Sequence, residues 1–249
     1  MKLGLRALTR GHLTRETLIR IAAPVEDARF VELPSLLDAI PVQGGERILD
    51  LASPKLAAIE FARRGAQVVS VDQFEPEVEE WRGLARGVDG VSFEVGDGRK
   101  LPFADGEFDH AYSISVIEHI GDDGDLDALA ELARVTKPGG RVVVSFPYGE
   151  TPDEEWRDSP VYSEDGTEHS GRWFYQRRYD QARVERLLAA APSLRELSRR
   201  PVRFAPSGFY RFYSDHAPWT LPLGPVLAWV VDTEDAPGGF LFLVLERSG

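Results

Sequence analysis

The chain has 249 residues, enough for one large α/β domain with appendages or two small domains, and its 43% hydrophobic and 28% charged residues are ordinary for a globular protein. It has no cysteine, which excludes disulfides and thiolate metal sites, and its five histidines show no metal-ligand spacing. A formal net charge of −12 argues against a nucleic-acid backbone as the main partner.

Residues 1–45 read as an N-terminal helical cap. Leu5, Leu8, Leu13, Leu18, Ile19 and Ile21 supply an apolar stripe, and Pro24 and Pro34 are expected to interrupt it. Leu33, Leu36, Leu37 and Ile40 are placed to pack on a sheet edge. The basic N-terminus carries no long apolar core, so no secretory signal is read and the expected compartment is the cytoplasm. The longest apolar run, Leu221 to Val231, is too short and too proline-broken to span a bilayer.

Residues 46–72 form the unit on which the rest is organised. Ile48, Leu49 and Leu51 suit a strand buried on both faces, and Ala52, Ser53 and Pro54 break it. Leu56, Ile59 and Ala62 recur at helical spacing, with Gly65 as the stop. Val68, Val69 and Val71 make a second strand, with Asp72 at its carboxyl end. Such a βαβ unit crosses over right-handed and leaves a crevice beyond the strands' carboxyl ends. Asp50, Ala52, Ser53, Pro54 and Asp72 all fall there. An acid at that place can accept hydrogen bonds from both hydroxyls of a ribose.

A helix is expected from about Glu75 to Arg86, with Pro76 at a tolerated early position. Val91, Phe93 and Val95 alternate as a third strand ending in Gly96-Asp97-Gly98. Phe108 to Ser115 reads as a fourth strand, and Val116 to Ile120 as a helical turn. The acids from Asp122 to Asp127 do not make a calcium loop, because the sixth position counted from Asp123 is Ala128 and the twelfth is Arg134. They suit the N-terminus of a helix over Leu126–Val135 instead. Lys137-Pro-Gly-Gly140 reads as a tight turn into a fifth strand, Arg141–Phe146.

Residues 147–178 read as a long inserted loop or lid. Asp180–Ala190 is a predicted helix, and Leu194–Phe204 and Phe240–Glu246 are predicted closing strands. The aromatic and proline-rich segment over 205–238 suits core, an apolar acceptor wall or a homodimer face.

The joint order of these pieces resembles the class I S-adenosylmethionine-dependent methyltransferases, in their small-molecule branch. The carriers are the first strand with its turn, the acid after the second, Gly-Asp-Gly, Phe-Asp-x-Ala-x-Ser, Glu-His-Ile, and Lys-Pro-Gly-Gly before a valine strand. The likeness covers Glu46–Pro147 and thins from Tyr179 onward. It implies a Rossmann-like, seven-stranded, mostly parallel sheet with helices on both faces and the last strand antiparallel, over 46–249. It also implies S-adenosylmethionine as cofactor and a small-molecule acceptor methylated on O or N. Carried over by motif, Asp50 and Ala52–Pro54 would cradle the methionine end, and Asp72 would take the ribose hydroxyls. Gln73 and Phe74 would flank the adenine, Asp97 with Gly98 would contact its amino group, and Ser113 and Ser115 would line the sulfonium region.

The family turn normally carries glycines, whereas Ala52 and Pro54 stand here, and Pro54 lacks an N–H. That departure motivates a second reading, a non-catalytic binding or assembly protein with a degenerate cofactor loop. His119, with Glu118 beside it, is the first candidate base, against a purely structural role. Tyr175, Arg178 and Tyr179 are candidates for binding an acceptor, against a solvated charge run. No metal is required.

Overall fold

The computed structural model describes residues 29–161, 167–203 and 239–249. The earlier part of the cap and the segment over 205–238 therefore lie outside the described residues, apart from α1. That helix, α1 (Arg29–Ala39), leads into strand β1 (Arg47–Leu51), helix α2 (Leu56–Arg63), strand β2 (Gln67–Asp72), helix α3 (Glu75–Leu84) and strand β3 (Val91–Val95). Strand β4 (Phe108–Ile114), a 3-10 turn (Ile117–His119), helix α4 (Gly124–Val135) and strand β5 (Thr136–Tyr148) follow. Then come β6 (Asp153–Arg157), β7 (Glu168–His169), β8 (Arg172–Arg178), helix α5 (Gln181–Ala189), β9 (Leu194–Arg203) and β10 (Gly239–Arg247).

The main sheet has seven strands in the order β3-β2-β1-β4-β5-β10-β9. The inner pairs are parallel, and β10 runs antiparallel to both its neighbours. The expected Rossmann-like architecture is therefore present. Parallel strands covered on both faces must be apolar nearly throughout, and every residue of Ile48–Leu51 and Val68–Asp72 is buried. One face packs Leu49, Leu51, Val142 and Val144 against α4 and α5. The other packs Ile48, Val68, Tyr112 and Val143 against α1 and α2.

Three expectations are corrected. Pro34 lies inside α1 rather than ending it. Its ring faces solvent while Leu36, Ala39 and Ile40 are buried, and that burial offsets one missing N–H donor. The fifth strand begins at Thr136, with Lys137–Gly140 absorbed as a register shift opposite Phe108 and His110. A Cβ on Gly140 would lie 2.3 Å from the Asp109 carbonyl oxygen, so only glycine lets the two strands close there. The insertion over 147–178 is not all loop, since β6, β8 and β7 pair as a small antiparallel sheet. In the closing hairpin, Pro201 sits in β9, the edge strand, where a missing donor is tolerated.

Candidate functional site

Strand order reverses between β1 and β4, because the chain builds outward to β3 on one side and to β5 on the other. Ligands in open α/β sheets bind beyond the carboxyl ends at such a switch point. Register brings the candidate residues there together. Leu51 pairs with Val71, Asp72 with Val95, and Asp50 with Tyr112, so the turn after β1 lies level with the ends of β2 and β4.

The turn keeps a glycine-like backbone without the glycine. Ala52 has φ +53, and its N–H donates to the Val71 carbonyl at 2.7 Å. Asp50 is fully buried beneath it, accepting from the Ser53 N–H at 3.1 Å and the Ser70 hydroxyl at 2.7 Å. Burial raises its carboxyl pKa, opposed by the charge of Lys55 and the two serines. Asp50 therefore shapes the turn and has no surface left for a ligand. Ser53 and Ser113 are buried too. The Ser53 hydroxyl accepts from Ile114 N–H at 2.8 Å, and the Ser113 hydroxyl donates to the Leu51 carbonyl at 3.2 Å. Both tie β1 to β4 where their ladder ends.

Asp72 is almost wholly buried, and the reason is a residue that motif reading missed. Lys55, the N-cap of α2, places its ammonium 3.0 Å from Asp72 Oδ2, with the two side chains 3% and 8% exposed. Asp72 Oδ1 accepts from Phe74 N–H at 3.2 Å. Gln73 is exposed and Phe74 half-buried beside it. The signal in the sequence was a lysine directly after Pro54, at the mouth of an otherwise apolar helix.

Asp97 is half-exposed and grips Arg99, taking its Nε at 3.0 Å, its Nη2 at 2.8 Å and its backbone N–H at 2.9 Å. The Arg99 hydrogen bond lowers the Asp97 pKa. Gly98 is buried, and a Cβ there would lie 2.9 Å from Leu51 Cδ1. At the end of β4, Ser115 has φ +52 and donates its hydroxyl to Glu32 Oε1 at 2.8 Å. Ser145 donates to the same oxygen at 2.7 Å. Glu32 is a second buried carboxylate missed in the sequence, although it stands four residues before the buried Leu36.

Past the 3-10 turn, His119 Nδ1 lies 2.7 Å from the Tyr175 carbonyl, which can only accept, so Nδ1 carries the proton. Its Nε2 lies 3.8 Å from Glu118 Oε1, and the Glu118 side chain is buried. Arg157 stacks over the Tyr175 ring at 3.9 Å, and Arg178 pairs with Asp153 at 3.1 Å on the surface. Tyr179, expected to reach an acceptor, is instead fully buried. Its hydroxyl donates to Asp125 Oδ2 at 2.8 Å and its ring packs 4.1 Å from Phe146, which leaves nothing to face a substrate. Burial, then the Asp125 charge, lifts its pKa well above the usual phenol range.

A family model described as a methyltransferase domain matches residues 49–144. Residues 49–144 thus resemble a methyltransferase domain. Among curated relatives, the chain is similar to the demethylmenaquinone methyltransferase of Beutenbergia cavernae. The two are 41% identical over 111 residues, 44% of this chain and 44% of that protein. The Corynebacterium glutamicum demethylmenaquinone methyltransferase is 40% identical over 109 residues, 43% of this chain and 44% of its own length. The chain thus spans less than half the length of these relatives.

Among solved structures, a methyltransferase-like chain from Haloferax volcanii, in complex with the Trm112 activator, superposes with a TM-score of 0.61 at 19% identity. That match covers 99% of this chain and 98% of that one. A Burkholderia thailandensis 1,6-didemethyltoxoflavin-N1-methyltransferase, with S-adenosylhomocysteine bound, gives 0.57 at 18% identity, covering 90% and 80%. At these identities the structural likeness speaks for the fold. Among the described residues, no helix is long and apolar enough to cross a membrane.

Proposed function

We propose that this chain is a methyltransferase that uses S-adenosylmethionine to methylate an O or N atom of a small-molecule acceptor. The observation that carries the reading is Asp72, a carboxylate held at the end of β2 beside the switch point, inside the matched domain. A carboxylate there suits the two ribose hydroxyls, and the half-buried Phe74 and the Asp97–Gly98 bend suit an adenine. The cofactor fits these residues on one condition: the Lys55 ammonium must leave Asp72. The names of the relatives support a small-molecule acceptor.

When bound, the sulfonium supplies an electrophilic methyl group. The chain's task is then to hold the acceptor in line and to take up its proton. Ser115, with Glu32 behind it, lines the end of β4 where an acceptor atom would sit. His119, its Nδ1 proton committed to Tyr175, is the candidate proton acceptor through Nε2, with Glu118 beside it to balance the charge that develops. Tyr175 and Arg178, on β8 of the inserted sheet, are the residues assigned to hold the acceptor. The chain acts in the cytoplasm, without a nucleic-acid partner.

A second reading is favoured by one observation. With Lys55 on Asp72 and an Ala-Ser-Pro turn, the domain could serve as a binding or assembly module that has lost the cofactor. Isothermal titration of the full chain with S-adenosylmethionine separates the two. The enzyme reading expects saturable heat and, with acceptor candidates, transfer of a labelled methyl group. No heat and no thermal shift at millimolar ligand favours the module.

A further inference from the structure

Lys55 is at odds with the role proposed for its partner. A buried ammonium is stable only when paired, and Asp72 is the partner that the structure gives it. If ribose hydroxyls take over Asp72, Lys55 loses its counter-ion while still at the mouth of α2. A site with that cost built in would bind its cofactor poorly unless the ligand itself brought a replacement anion.

Resting on the reading above, we propose that Lys55 is a cofactor-specificity residue, one that passes from Asp72 to the amino-acid carboxylate of S-adenosylmethionine when the cofactor enters. Three observations converge on this. Lys55 is the N-cap of α2, directly after the turn that meets the methionine end in the resembling family, and the helix N-terminus beside it favours negative charge. Pro54, the residue before it, has no N–H to offer that carboxylate, so the turn lacks one donor that glycine would supply. Lys55 also acts on the buried Asp50, where its charge opposes the rise in that carboxyl's pKa.

The exchange balances. Before binding, one ammonium faces one carboxylate. Afterwards Asp72 keeps its charge and gains hydroxyl donors, and the ammonium gains the ligand's carboxylate. The lysine thus replaces the missing backbone donor and makes affinity depend on the amino-acid half of the ligand.

The test compares two probes on the full chain by titration calorimetry. S-adenosylhomocysteine carries the carboxylate, and methylthioadenosine has the same adenosine and thioether without it. The readout is the ratio of the two dissociation constants within each variant, which cancels any loss of folded fraction. In Lys55→Met, that preference for S-adenosylhomocysteine is expected to fall about tenfold or more, while Lys55→Arg keeps most of it. A ratio unchanged in Lys55→Met, with both ligands tightened or weakened alike, overturns the proposal and makes Lys55 a simple competitor for Asp72. Failure of the unaltered chain to bind either probe overturns the cofactor reading itself, and this inference with it.

Discussion

Glu32 Oε1 accepts the hydroxyl of Ser115 at 2.8 Å, which ties helix α1 to the end of β4, where the strand order reverses. The same oxygen accepts from Ser145, so one buried carboxylate holds the ends of two strands. Replacing Glu32 by Ala leaves the buried Ser145 hydroxyl and the half-buried Ser115 hydroxyl without this acceptor. The expected loss of stability is about 1–3 kcal/mol, measured by urea unfolding. A change of only a few tenths would show that α1 is held by Leu36 and Ile40 alone.

Ala52 sits at φ +53, a conformation that costs an L-residue about 1–2 kcal/mol. Ala52→Gly relieves that strain, less the added flexibility of the unfolded chain, so a gain of about 1 kcal/mol or slightly less is expected. Thermal and denaturant unfolding check it. A loss of stability would mean that the Ala52 methyl group contributes packing that outweighs the strain.

Arg177 and Asp125 form a buried ion pair between β8 and the first turn of α4, and Arg177 Nη2 also donates to the Asp122 carbonyl at 2.7 Å. Arg177→Met strands a buried carboxylate and is expected to cost about 3–5 kcal/mol. Adding Asp125→Asn removes the stranded charge, so the double variant should be more stable than Arg177→Met alone. The pair anchors the inserted sheet to the main domain, and limited proteolysis within 147–178 should follow the same order.

His110 accepts the Arg141 N–H at Nδ1, at 3.0 Å, and burial lowers its pKa below the ordinary imidazole value. The folded chain therefore binds this proton less readily than the unfolded one. Its contribution to stability is fully present above the unfolded value of about 6.5 and is lost as pH falls through the lower folded value. Unfolding free energy should decline as pH falls below ~6.5, before the carboxylates dominate. In His110→Leu that segment should flatten, although the variant is less stable throughout.

The architecture was legible in the sequence because its signals are local and repeated. Apolar runs at Ile48–Leu51 and Val68–Val71, a helical stripe between them and a strand-end acid define a βαβ unit without any long-range knowledge. What escaped was the use of individual side chains. Asp50 looked like a ligand contact, but it is fully buried with its oxygens accepting from Ser53 and Ser70, and the Ser70 contact bridges two strands. Tyr179 looked like part of a lid, yet its partner Asp125 lies 54 positions away in the chain. Lys55 drew no role from the sequence, because local spacing does not show that Asp72, 17 residues on, folds back onto it. Pairings of that kind are set by tertiary packing.

A crystal structure of the full chain with S-adenosylhomocysteine tests the central claim most directly. The account predicts both ribose hydroxyls within hydrogen-bond distance of Asp72, with the Lys55 ammonium moved away from that carboxylate. A saturated crystal in which Lys55 still sits on Asp72, and the ligand lies elsewhere or does not bind, would contradict it.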